Sequence, residues 1–303
     1  MTPMRSIVFL IACCLMLSNP TCRLLQAETS SRSRASHPVA ALVYHHFLSD
    51  EEARRHPSRL DDLTVSASQL REQLEYLNKK QATALTTDEL LKHVFGEKEA
   101  PPRSFVIVID DGYDSVYRVA WPILKELGIP AALAVMVRAS EDPAAWSRRY
   151  PGGIPHMSWP QILEMQKPVK CGTRERVLVS IESHTYDRHV NLREEERKKI
   201  PLGEKDAFHR SLEADLRKAR EIIQLRTGGL SRGDLLVWPH GATSSSLVQV
   251  ARRAGYKGTF AGLGATIRTG TDPLRMPRIH AGSGVRGLKS FTRDLEEAGW
   301  DRP

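Results

Sequence analysis

The chain predicts an α/β fold of parallel strands joined by crossover helices. Two observations carry that expectation. Apolar runs at residues 105–109 and 131–137 are unbroken, as in strands buried on both faces. Between them, residues 117–127 set Ala120, Ile123, Leu124 and Leu127 on one helical face before Gly128 and Pro130 end the helix. Regular alternation of the two patterns makes parallel pairing the natural connection.

Taken in order, the chain opens with Met4-Arg5, an apolar run over 7–17, and small and polar residues over 18–27. That three-part layout predicts a signal peptide, and the run is shorter than the ~20 residues a membrane-spanning helix needs. Residues 1–27 are therefore expected to be a leader, 28–38 a flexible Ser/Arg-rich N-terminus, and 39–303 one domain. Cys13, Cys14 and Cys22 then leave with the leader, so Cys171 stands alone and no internal disulfide framework is expected. Leu10-Ile11-Ala12-Cys13 fits a lipoprotein box only inside the apolar run, and lipidation is not expected.

A first strand is expected at 39–44, followed by His45-His46, read as positioning or packing residues. Leu70, Leu74 and Leu77 mark a helix over 66–79, residues 82–85 a short strand and 87–95 a further helix, before a charged loop at 97–103. Residues 140–157, with Pro143, Trp146, Gly153 and Pro155, read as a long loop of the kind that shapes binding sites. Trp146, Tyr150 and Trp159 are candidates to stack on a ligand, with core or lid packing the commoner role. Strands are expected at 177–181, 235–241, 258–263 and 274–280, and helices at 161–166, 212–225, 246–254 and 287–298, with 190–208 an excursion at a pocket rim.

The formal charge of +8 and pI of 9.4 could suggest nucleic acid. The basic residues are, however, interleaved with acids along helical stretches at 194–199 and 215–226, the pattern of a solvated face. No nucleic-acid partner is expected; peripheral association with an anionic cell envelope is the weaker expectation for an exported basic protein.

The chemistry concentrates at strand ends. The run at 105–109 stops at Asp110-Asp111-Gly112. Neighbours on a strand point opposite ways, Gly112 permits a turn, and Ser115 offers a helix cap. Two carboxylates in different surroundings suit two tasks, one holding a metal and the other moving a proton. Beyond the strand at 177–181 come His184 and His189, spaced by five. On a regular helix they would diverge by about 140°, so shared ligation requires a loop or distorted turn.

Val108-Ile109-Asp110-Asp111-Gly112 resembles the Thr-Phe-Asp-Asp-Gly motif of the polysaccharide deacetylase family, carbohydrate esterases built on the NodB-homology domain. Ser183-His184-Thr185 followed by His189 resembles that family's Ser-His-Thr…His motif. The wide histidine spacing, Met157-Ser158-Trp159 and Tyr44-His45-His46 are similar to the branch acting on poly-β-1,6-N-acetylglucosamine, a biofilm exopolysaccharide. The likeness runs from about Val39 to about His280. It implies a distorted, incomplete (β/α) barrel of the NodB-homology type with its site at the C-terminal strand ends; a doubly wound open sheet is the alternative for the same elements.

The resemblance further implies an exported, periplasmic or cell-surface enzyme that deacetylates an N-acetylglucosamine polymer. The β-1,6-linked polymer is the first choice, ahead of chitin oligomers, peptidoglycan or acetylated xylan. A non-catalytic carbohydrate-binding protein and a metal-dependent phosphoesterase are the readings of other classes. In the implied roles, Asp111, His184 and His189 hold one divalent ion, Zn²⁺ first, with Co, Ni or Fe compatible. Asp110 is the general base, His280 the general acid, and the backbone N–H of His240 contributes to an oxyanion hole. Trp238-Pro239-His240-Gly241 departs from the family's aromatic-Pro-Tyr-Gly motif at His240. The family's arginine that orients the base has no equivalent among Leu235, Leu236 and Val237, and Arg278 is the candidate to approach from elsewhere.

Overall fold

The expected parallel strands form, and they close on themselves. The computed structural model describes residues 36–150, 153–241 and 243–302, so the expected leader and most of the 28–38 segment lie outside the described residues. The strands are β1 (Val39–Tyr44), β2 (His46–Leu48), β3 (Thr64–Ser66), β4 (Thr83–Ala84), β5 (Ser104–Ile109) and β6 (Ala131–Val135). They continue as β7 (Val169–Cys171), β8 (Arg174–Arg176), β9 (Val179–Ser183), β10 (Leu235–Val237), β11 (Gly258–Leu263) and β12 (Met276–His280). Seven of them run in the order β1-β12-β11-β10-β9-β6-β5 and return to β1, every pairing parallel. Because β1 has a partner on each side, an open doubly wound sheet is excluded.

This is the NodB-type barrel, one strand short of eight and uneven around its circumference. β1 pairs with all six residues of β5, whereas β9 and β10 meet at one paired position, Ser183 with Leu236. β4 lies outside the ring against the first residues of β5. Among the described residues no helix is long and apolar enough to cross a membrane.

A two-residue period decides what faces the lumen. Val39, Ala41, Val106, Val108, Ala134, Leu235, Val237, Phe260 and Met276 belong to one buried cluster, together with Leu90, Leu91 and Val94 of the helix Thr87–Val94, which plugs the floor. The opposite phase, including Ala40, Leu42, Tyr44, Phe105, Ile107 and Ile109, packs beneath the surrounding helices. The lumen is filled closely: a Cβ on Gly258 would come within 2.6 Å of Leu235 Cδ2 and 2.9 Å of Met276 Cε, so any larger residue there must displace both side chains. Truncating the fully buried Phe260 to alanine would cost about 3–5 kcal/mol.

Three local expectations are corrected. The 140–157 stretch carries the short helices Val137–Glu141 and Pro143–Arg149, the second capped by Asp142 Oδ1 accepting from Ala145 N at 2.8 Å. The rim excursion is helical, as Leu192–Lys199 and the start of the long helix Lys205–Arg226. Ser115 caps nothing: the following helix opens with a π turn at Val116–Ala120, and Ser115 Oγ instead meets His46 Nδ1 at 2.7 Å and Phe47 N at 3.2 Å.

Candidate active site

The inward phase of the strands, carried to their C-terminal ends, brings His45, Asp110, His184, Arg278 and His280 to one cavity of about 440 Å³ in the barrel mouth. Asp110 continues the series Val106, Val108 and is only 2% exposed. Arg278 continues from Met276 and donates from Nη1 to both carboxylate oxygens of Asp110, at 2.9 and 2.6 Å. The chain then turns: Asp111 has φ of 70° and Gly112 of 79°. A left-handed non-glycine costs about 1–3 kcal/mol, and here it swings Asp111 away from its neighbour.

Asp111 Oδ1 lies 3.2 Å from His184 Nε2 and 3.2 Å from His189 Nε2. The five-residue spacing converges because Thr185, with φ of 74°, reverses the backbone between the histidines. Hydrogen bonds suspend that turn from two sides. Val137 N donates to Thr185 O at 3.2 Å and Arg138 N to Tyr186 O at 3.0 Å. From the long helix, Asp215 accepts from Tyr186 N with one oxygen at 2.9 Å and from Asp187 N with the other at 3.0 Å. Burial raises the Asp215 carboxyl above its ordinary value, against these hydrogen bonds.

The donor set fits a cation. His184 Nδ1 lies 2.9 Å from Val237 O, an acceptor only, so Nδ1 carries the proton and Nε2 turns a lone pair toward Asp111. Asp111 Oδ1 is buried without a hydrogen-bond donor of good geometry, and two acceptors face one another across 3.2 Å. A positive charge between them resolves the conflict. Burial works against both charges, yet His184 and His189 hold Asp111 well below the usual carboxylate range, and Asp111 holds His184 above its ordinary value. The three ligand atoms lie within 4.8 Å of one another, and two imidazoles with one carboxylate suit a borderline divalent ion with positions left open.

His45 Nε2 is 3.6 Å from Asp110 Oδ2, and burial lowers the histidine's value. His280 lines the same mouth, with Nδ1 buried and unpartnered and its value lowered, first by burial and then by the neighbouring His45. His240 takes a left-handed backbone, φ of 57°, with its exposed ring 5.1 Å from that of His189. Two positions were under-read in the sequence. His45, treated as packing, stands beside Asp110, and its phase with Val39, Ala41 and Val43 was the available signal. Asp215 was unread, since nothing local distinguishes it from the other acids of its helix.

Fold and site together define the class: a parallel α/β-barrel hydrolase with a metal-fitting Asp-His-His set beside an arginine-held carboxylate. The family model for polysaccharide deacetylase matches residues 97–259, more than half of the 303 residues, and the chain belongs to that family. A poly-beta-1,6-N-acetyl-D-glucosamine N-deacetylase of Escherichia coli (strain K12) is 24% identical over 250 residues, 77% of this chain and 36% of that relative. The chain thus spans about a third of the length of the E. coli relatives it matches. A protein of the same name from Staphylococcus aureus (strain MRSA252) is 25% identical over 73% of this chain and 68% of its own. IcaB from Ammonifex degensii shares the fold with a TM-score of 0.65 at 20% identity, over 89% of this chain and 99% of that one. A de-N-acetylase from Aggregatibacter actinomycetemcomitans does so with a TM-score of 0.66 at 22% identity, over 85% and 100%.

Proposed function

We propose that this protein is exported and hydrolyses the N-acetyl groups of an N-acetylglucosamine polymer, with the β-1,6-linked exopolysaccharide as its first substrate. One observation carries the chemistry: Asp111 Oδ1 at 3.2 Å from two imidazole nitrogens, beside a separate carboxylate gripped by Arg278. The names of the E. coli and S. aureus relatives support the polymer.

Asp111, His184 and His189 would hold one divalent ion, Zn²⁺ first by ligand type. When bound, such an ion supplies Lewis-acid polarisation of the acetamide carbonyl and makes water more acidic. Asp110 takes the proton from the attacking water, and Arg278 fixes both of its oxygens so that the carboxylate faces the reacting carbon. The backbone N–H of His240 helps neutralise the developing oxyanion. His280 delivers a proton to the departing amine. His45, beside Asp110, is a further imidazole lining the mouth and would take that task if replacement of His280 left turnover intact.

The test is acetate release from β-1,6-linked N-acetylglucosamine oligomers, expected with the purified protein, lost with a chelator and restored by Zn²⁺. Release from chitin oligomers alone would move the substrate assignment. Oligomer binding without any acetate would replace the enzyme reading with a carbohydrate-binding one.

A further inference from the structure

Beside the mouth lies a second cavity of about 340 Å³ that shares Tyr113 and His189 with it. Its outer wall comes from the helix Pro143–Arg149 and the residue that follows: Trp146, Arg149 and Tyr150. The Trp146 and Tyr150 rings lie 4.7 Å apart, and the Arg149 guanidinium sits 5.7 and 5.3 Å from their centroids. Tyr150 is 45% exposed, so part of its ring is open to a ligand. Opposite stands Asp187, two residues before His189, its carboxylate engaged by both Arg138 and Arg149. Apolar ring faces interleaved with planar hydrogen-bonding groups suit a sugar, whose C–H face stacks while its hydroxyls bond at the edge.

We propose that this cavity is a subsite for the sugar unit next to the one being deacetylated, and that it favours a neighbour still carrying its N-acetyl group. The proposal rests on the deacetylase reading and deepens it. The shared wall supplies the first half: Tyr113 and His189 line both cavities, so a ring adjoining the one whose acetamide reaches His189 can extend toward Trp146. Charge supplies the second. Among the described lining residues Asp187 is the one carboxylate, and two guanidinium groups already occupy it. An ammonium left by earlier deacetylation meets Arg149 and finds no free carboxylate among the described lining residues, whereas a neutral acetamide meets no such repulsion. The arginines are about half exposed, so screening limits the discrimination to several-fold. Product strands would accordingly carry their free amines spaced apart.

The test compares three substrates: N-acetylglucosamine, its fully acetylated β-1,6-linked tetramer, and a tetramer carrying one glucosamine unit. The native protein is expected to turn over the fully acetylated tetramer several-fold faster than the mixed one. In Trp146→Ala the ratio of kcat/KM for tetramer over monosaccharide should fall about tenfold, as expected for loss of one stacking platform. Trp146→Phe, which keeps a ring, should retain most of the ratio and covers the case in which the alanine variant misfolds. Arg149→Gln should bring the two tetramers to similar rates. Equal rates on both tetramers in the native protein, or an unchanged ratio in Trp146→Ala, overturn the proposal. If no substrate releases acetate, calorimetric binding of the acetylated tetramer decides. A tenfold weaker affinity in Trp146→Ala keeps the subsite while removing the deacetylase reading, and equal affinities remove the subsite.

Discussion

Two buried carboxylates look into the same barrel, and their surroundings differ in kind. At the mouth, Asp110 is met by a full positive charge, Arg278 Nη1 at 2.6 Å. At the floor, Glu182, 4% exposed, meets only neutral donors: Thr87 Oγ1 and Leu235 N, each at 3.0 Å. Burial pushes the Glu182 carboxyl up to about 7, the two hydrogen bonds offsetting only part of that rise. A barrel wall can therefore tolerate an acid in two ways: by compensating its charge, as at Asp110, the proposed general base, or by favouring its neutral form, as at Glu182.

The contrast breaks most visibly at Asp110. Asp110→Asn should lower turnover about 10²–10⁴-fold, the usual share of a general base, while metal content by elemental analysis stays that of the native protein. Full activity in that variant would remove the mouth's half of the comparison. Arg278→Met tests the compensation itself. With Asp110 left buried and without its guanidinium, urea denaturation should show a loss of about 3–5 kcal/mol, and native stability would mean the guanidinium compensates nothing.

Glu182→Gln probes the floor. The folded value of about 7 lies above the unfolded 4.5, so folding favours the acid form. That contribution is complete below pH 4.5 and disappears as pH rises through 7, a change of about 3 kcal/mol. The variant cannot titrate there, so its stability relative to the native protein should improve between pH 5 and pH 8. Parallel stability curves would show that Glu182 is already ionised at no cost. The smallest effect is expected at Asp215, which uses both oxygens to hold the histidine turn. In Asp215→Asn one oxygen becomes an N–H donor facing another N–H, and Zn²⁺ affinity by competition titration should weaken about tenfold, as for other outer supports of metal ligands.

Much of this molecule was legible in its sequence because the signals were strong and local. Unbroken runs such as 105–109 announced strands buried on both faces, and their alternation with amphipathic helices announced parallel pairing. Closure into a barrel came through the family resemblance, since no local pattern says that β1 has two partners. Asp111, His184 and His189 were readable as residues, and their meeting depended on the positive φ at Thr185, which periodicity does not encode. Arg278 was named as a candidate without a placement; the series Met276, Arg278, His280 would have aimed it inward. The helix Leu192–Lys199 shows in the sequence only as a charged helical stretch at 194–199 inside a rim excursion, because what it buries is largely polar. Apart from Leu192, its anchor is Glu196, which accepts from Ser244 Oγ at 2.7 Å and pairs with His209 at 2.6 Å. Such a polar anchor leaves no apolar stripe to read.

The barrel is not equally fastened all the way round. Where β9 meets β10 a single ladder position joins them, and the imidazole of His184 adds a rivet by reaching across to Val237 O at 2.9 Å. Breathing of the cylinder should start along this zip, since few backbone bonds must part there. The same ring that presents a lone pair to Asp111 thus also keeps the wall shut, so loosening the histidine for chemistry's sake would unlace the scaffold behind it.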